Sequence, residues 1–232
     1  MKTAGIIGGL GPDTTAEFYI ETIRRARPVF SYSYPSIFIY NVPVPFAVER
    51  AMVQKGHREE DMFRVLSDAV VNLEKAGVDF IVIPCNTVHI FYDRLAGQIN
   101  VPLLNILDET AAACSARGWK RVGTLGTRKT LQSRMYANAL EKYSIEAVDL
   151  PEDEQDRLTM IIYRILSGSG GPQERSQLLN MITVLGERGA DGVILGCTDL
   201  QHLVREDDTD LPLPVVDSMS SLVDALIRDL AE

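Results

Sequence analysis

Gly77-Val-Asp-Phe-Ile-Val-Ile-Pro-Cys85-Asn-Thr87 and Gly189-Ala-Asp-Gly-Val-Ile-Leu-Gly-Cys197-Thr-Asp199 are two versions of one pattern, set 112 residues apart. Each opens on a Gly-x-Asp turn and runs through continuous apolar residues. Each ends in a cysteine followed by small hydrogen-bonding side chains. A short unbroken apolar run fits a strand buried on both faces, as in a parallel sheet. Working outward, residues 4–7, 36–40, 80–83, 121–125, 145–148 and 192–195 read as strands, with short Pro-led runs at 102–104 and 214–216 as two more. Residues 13–26, 57–75, 107–116, 131–142, 152–166, 173–188 and 220–231 carry helical spacing. Strand–helix alternation predicts an α/β protein with mostly parallel sheets and helices on both faces. Ligands in such sheets bind beyond the carboxyl ends of the strands, where Cys85 and Cys197 both fall.

The repeat extends past the cysteines. At the same offset, Val101-Pro-Leu-Leu104 matches Leu213-Pro-Val-Val216; near the start of each half, Gly5-Ile-Ile-Gly8 resembles Gly123-Thr-Leu-Gly126. A long period present only twice indicates duplication rather than a solenoid. Two pseudo-symmetric α/β domains are therefore expected: residues 1–113 carrying Cys85 and residues 114–213 carrying Cys197. The terminal segment 214–232 is expected to pack its helix on the first half. Gly168-Ser-Gly-Gly-Pro172 reads as a loop between helices, not a domain linker.

Composition narrows the function classes. The chain has 232 residues, 46% of them hydrophobic and 24% charged, enough apolar material for a sizeable core. A formal net charge of -9 argues against nucleic-acid or anionic-membrane partners. No apolar run reaches the roughly 18–20 residues of a membrane span, and the N-terminus lacks the long apolar core of a signal peptide. A cytoplasmic location is expected. Three cysteines without CxxC spacing do not make a disulfide scaffold. His57, His89 and His202 are too scattered to indicate a zinc site, so no metal is expected.

Several motifs carry chemistry. Gly8-Gly-Leu-Gly11-Pro-Asp13 lets the chain turn sharply after the first strand, with Asp13 or Thr14 as the expected helix cap. Its third glycine is missing at Thr14 and Pro12 interrupts it, so it is no dinucleotide fingerprint. Asn86 and Thr87 after Cys85, and Thr198 after Cys197, supply donors suited to a carboxylate or a developing enolate oxygen. Asp199 could accept a proton from a neighbour or cap a helix. Thr127, in the second Gly-turn, could bind substrate, while Thr130 belongs near a helix start. His89 and His202 trail the cysteines by four and five residues, within reach of one helical turn. Cys114 lies in an alanine-rich helix and reads as core. Arg50 is a lone arginine after a strand and its loop. Two thiols at matching strand ends suit a reaction that takes a proton from one face of a carbon and returns it to the other.

Gly8-Gly-Leu-Gly-Pro12, Pro84-Cys-Asn-Thr-Val-His89 and Gly196-Cys-Thr-Asp199 together resemble the three signature blocks of the aspartate/glutamate racemase family, across essentially the whole chain. The resemblance implies two duplicated α/β domains with the active site in the cleft between them, no cofactor, and a homodimer. It implies racemisation of aspartate or glutamate, with Cys85 and Cys197 as paired acid and base. Asn86, Thr87, Thr127 and Thr198 would hold the α-carboxylate end, Arg50 the side-chain carboxylate, and Asp199 would join the substrate-binding set. The second cysteine block usually ends in Glu, where this chain has Asp199. Some aspartate racemases carry a helical lysine where this chain has Leu166, with Arg164 nearby. A hydantoin racemase, a maleate isomerase, a malonate decarboxylase, a non-catalytic amino-acid-binding protein and a thiol redox protein are the alternatives.

Overall fold

A computed structural model of the chain describes residues 1–31, 33–45, 48 and 58–232. The chain falls into two compact units, Met1–Ile106 with Met219–Glu232, and Leu107–Ser218. It passes into the second unit at the start of one helix, Ile106–Ala116, and returns at the start of another, Ser218–Ala231.

The first unit holds a parallel sheet of β1 (Thr3–Gly8), β2 (Ser36–Asn41) and β3 (Phe80–Val82) in the order β2-β1-β3. Helix α1 (Pro12–Ala26) makes the crossover from β1 to β2, and α2 (Glu59–Lys75) leads into β3. Along α2, Met62, Leu66, Ala69, Val70 and Leu73 recur at helical spacing and are buried against Ile7, Ile81 and Ile83. A short helix α3 (Tyr92–Ala96) follows the cysteine turn, and α4 (Ile106–Ala116) leads on.

The second unit holds β4 (Arg121–Gly126), β5 (Glu146–Val148), β6 (Gly192–Gly196) and β7 (Val215–Asp217) in the order β5-β4-β6-β7, all parallel. Helices α5 (Arg128–Gln132) and α6 (Met135–Glu141) precede β5. Helices α7 (Glu152–Leu166) and α8 (Pro172–Glu187) lie between β5 and β6. Leu158, Ile161 and Ile162 of α7 and Leu178, Met181 and Leu185 of α8 form one core with Val193 and Leu195. Helix α9 (Ser218–Ala231) closes the chain.

The duplication is visible residue for residue in the strand register. Ala4 pairs with Phe80 and Ile6 with Val82, while Val122 pairs with Gly192 and Thr124 with Ile194. These are the same partners once 118 is added to the first strand and 112 to the second. The Pro-led runs agree too. Pro102 accepts the Ile81 N–H at 2.8 Å, and Pro214 accepts the Val193 N–H at 3.0 Å.

Two elements differ from the sequence expectation. Residues 102–104 make only a single bridge, Ile81 with Leu103, whereas the matching run forms β7. The helix expected over 131–142 is broken at Arg134, whose φ is 52°. Thr130 and Tyr136 are both buried. Six residues apart, they would point about 120° apart on one continuous helix, and the break lets both reach the interior.

Candidate active site

In the first unit, β1 and β3 are neighbours, so the Gly8–Gly11 turn and the Cys85 turn leave the sheet side by side. Gly9 has φ 88°, and a Cβ there would meet the Val42 carbonyl at 2.5 Å, so only glycine fits. Thr15 holds the turn: its hydroxyl accepts from the Gly9 N–H and donates to the Gly11 carbonyl, both at 3.0 Å. Helix α1 has no side-chain cap, so neither Asp13 nor Thr14 takes the expected capping role. Beyond β3, the Cys85 N–H bonds the Ile83 carbonyl at 2.8 Å, folding the chain tightly around a half-buried thiol. Asn86 and Thr87 are buried, and Thr87–Phe91 forms a single 3₁₀ turn.

His89 locks that turn. Its Nδ1 lies 2.8 Å from the Cys85 carbonyl, and its Nε2 accepts the Ile106 N–H at 3.4 Å. An acceptor at one nitrogen and a donor at the other fit only the neutral Nδ1–H imidazole. The ring serves the Cys85 backbone through its Nδ1.

The second unit repeats the arrangement. Gly126 and Gly196 are paired across β4 and β6, so Thr127 and Cys197 emerge next to each other. Thr127 caps α5: its hydroxyl accepts the Thr130 N–H at 3.2 Å and lies 3.0 Å from the Thr130 hydroxyl. Cys197 is extended, and Thr198–His202 forms the matching 3₁₀ turn. The Cys197 thiol donates to Asp199 Oδ2 at 3.5 Å, and both side chains are buried. Both cysteines lead into one 3₁₀ turn of five residues, which carries a weaker dipole than a full helix.

Cys85, Asn86 and Thr87 thus share one turn of the first unit, and Thr127, Cys197, Thr198 and Asp199 cluster in the second. Arg50 and His57 lie outside the described residues. His202 is exposed. Cys114 is fully buried, and burial pushes its thiol up to about 12. Arg164 is committed to Glu174, whose carboxyl it holds below the usual carboxylate range, and Leu166 is partly exposed. Sequence reasoning missed Thr15 and Gln155. Gln155 donates to the Gly126 carbonyl at 3.1 Å from the first turn of α7. A threonine inside an amphipathic helix and a glutamine at its start carry no pattern that marks them. Among the described residues, no group of three His, Cys, Asp or Glu could hold a metal ion, and no helix is long and apolar enough to cross a membrane.

Paired parallel α/β units, each ending in a thiol turn, match the fold of the Asp/Glu racemases. The chain belongs to the Asp/Glu/hydantoin racemase family, whose profile matches residues 7–226. It is similar to the broad specificity amino-acid racemase RacX of Bacillus subtilis (strain 168), at 29% identity over 96% of both chains. Among solved structures it is similar to an aspartate racemase homologue from Pyrococcus horikoshii OT3, with TM-score 0.82, 30% identity and full coverage of both chains. A Picrophilus torridus aspartate racemase aligns with TM-score 0.81 and 26% identity, over 99% of this chain and 94% of that one. The family places the chain among amino-acid racemases, a class of isomerases.

Proposed function

We propose that the chain racemises acidic amino acids, aspartate or glutamate, without a cofactor, using Cys85 and Cys197 as its two acid–base groups. The observation that carries this reading is the matched placement of the thiols. Both follow strands that sit in the same register in their sheets, and both are followed by hydrogen-bonding side chains. A single-thiol reaction such as decarboxylation would not need the duplication.

The hydrogen bond from Cys197 to Asp199 supports one choice of starting roles. A carboxylate beside a sulfur disfavours a second negative charge and keeps the proton on that sulfur. Cys197 therefore begins as the acid and Cys85 as the thiolate base. The Cys85 thiolate takes the α-proton; the electron pair left on Cα delocalises into the substrate carboxylate as an enolate-like charge. Donors from Asn86, Thr87, Thr127 and Thr198 would stabilise that charge as it develops. Cys197 then delivers its proton to the opposite face, leaving Cys85 protonated, Cys197 as thiolate and the product inverted.

A broader substrate range is the second reading. It is favoured by Leu166, which stands where a lysine would select aspartate, and by the broad specificity of the Bacillus subtilis relative. Proton NMR in deuterium oxide with a panel of L- and D-amino acids tests both. Loss of the α-proton signal with appearance of the opposite enantiomer identifies reaction and substrate together. Cys85→Ser and Cys197→Ser should each abolish inversion. Unchanged α-proton signals across the panel, or racemisation by the double variant, would contradict the assignment.

A further inference from the structure

The two faces of the second sheet are covered differently. Leu125, Val148 and Leu195 point into the core shared with α7 and α8, and Cys197 belongs to that same core. Successive residues of a strand alternate, so Thr124, Ala147 and Asp149 turn to the opposite face, beneath α5 and α6. Between that face and the two helices lies a cavity of about 90 Å³, whose lining includes Thr124, Ala147, Asp149, Thr130, Arg134 and Tyr136. A water takes about 10–15 Å³ of such space, so the cavity accommodates a polar molecule of about six to nine heavy atoms. None of Thr127, Cys197, Thr198 and Asp199 lines it.

The lining offers both signs of charge. Arg134 and Asp149 stand at the exposed rim. Among the described residues neither side chain forms an ion pair or hydrogen bond, with the other or with any third group. Arg117, Arg121, Arg128 and Arg157 of the same unit each hold a carboxylate. Arg134 also occupies the left-handed region, where glycine is the usual residue, and its N–H is held by the Leu131 carbonyl at 2.9 Å. Deeper in, Thr124 is 5% exposed. A Cβ on Gly196 would meet its methyl at 2.9 Å, so the methyl is turned toward β6. Its hydroxyl has no hydrogen-bond partner among the described residues. That hydroxyl is not sealed in, because Gln155 Oε1 is the one fully enclosed polar side-chain atom there without a partner. A buried hydroxyl left unbonded costs stability, and a polar occupant of the cavity recovers it.

We propose that this cavity is a separate amino-acid site, taking a small zwitterion with its carboxylate on Arg134, its ammonium on Asp149 and one of those groups bonded to the Thr124 hydroxyl. The charges decide the class. A lone anion meets the Asp149 carboxylate and a lone cation meets the Arg134 guanidinium, whereas a zwitterion pairs with both. The volume decides the range, since about six to nine heavy atoms spans alanine to aspartate. Thr130 connects the cavity to the candidate active site. It lines the cavity, and its hydroxyl lies 3.0 Å from that of Thr127. An occupant is therefore one side chain removed from a proposed substrate donor, on the face opposite the Cys197 core, which is the position of an effector rather than of a substrate. The binding inference does not rest on the racemase reading.

Amide NMR of the isotope-labelled full-length chain, titrated with alanine to millimolar concentrations, reads the site residue by residue. Alanine should shift the amides of Thr124, of residues 130–137 and of residues 147–149, and the shifts should saturate. Acetate and methylamine, with one charge each, should not saturate them at the same concentrations. Arg134→Gly suits the left-handed backbone, and Asp149→Asn keeps the side-chain volume. Each should weaken alanine binding about tenfold or more, because each removes one charge-assisted contact. Shifts confined to residues 85–87 and 196–199 would overturn this proposal and leave the proposed function standing. Acetate or methylamine reproducing the alanine shifts, or unchanged affinity in either variant, would also overturn it. Saturable cavity shifts in a chain that exchanges no α-proton of any amino acid would support this site and count against the proposed function alone.

Discussion

Replacing Asp199 by asparagine changes one charge and almost no volume beside Cys197. The carboxylate oxygen lies 3.5 Å from the sulfur, and both side chains are 8% exposed, so bulk water screens the pair weakly. Two like charges about 4 Å apart repel by about 4 kcal/mol at the effective dielectric of a protein site. Local relaxation and remaining solvent reduce that, and about 1.4–3 kcal/mol is a reasonable net value. This corresponds to roughly a ten- to hundredfold larger thiolate fraction at Cys197 in the variant. The amide can also donate to a thiolate, which acts in the same direction. Alkylation by iodoacetamide, followed residue by residue through peptide mass, measures thiolate directly. At neutral pH, Cys197 should react about ten to a hundred times faster in Asp199→Asn, while Cys85 changes little. On the proposed roles, racemisation should slow because Cys197 has lost the group that keeps it protonated. Alkylation of Cys197 at the unmodified rate, or slower, would refute the assignment of Cys197 as the resting acid.

Cys114 should stay unmodified in the same experiment: with its thiol pushed from 9.0 to about 12, its thiolate is about a thousandfold scarcer than for an ordinary cysteine. In the native state this thiol keeps its proton between pH 9 and about 12 while the unfolded chain releases it. Stability should therefore fall as pH rises above about 9, by up to about 1.4 kcal/mol per unit. Cys114→Ala should flatten that decline in urea unfolding. Tyr136, whose buried phenol is also raised, should add to the decline above pH 10. His89→Ala removes the bridge between the Cys85 carbonyl and the Ile106 N–H and should cost about 1–3 kcal/mol by calorimetry; an unchanged melting temperature would contradict the locking role. Gly192→Ala would put a Cβ 2.4 Å from the Trp119 ring and should destabilise by about 1–3 kcal/mol. Trp119→Leu in the same chain should recover part of that loss, and simple additivity of the two changes would show that the contact is not the cause.

The strand ends and the repeat were legible because they rest on local pattern. Phe80-Ile-Val and Gly192-Val-Ile-Leu-Gly are apolar, short and bounded by turns, and a shared offset survives folding as a shared register. The order of motifs along the chain also sufficed for the family. Which way a side chain points after a strand ends is a different matter. Periodicity says nothing about a turn, so His89 facing a carbonyl, Thr127 capping its own helix and Cys197 donating to Asp199 appeared only with the backbone in place. The same holds for β2. Ser36-Ile-Phe-Ile-Tyr reads as interior by the rule that correctly buries β3, because a strand's composition records its affinity for neighbours and not their number. Sheet order is settled by crossovers between distant segments, and that order left β2 on the edge with its apolar side chains uncovered.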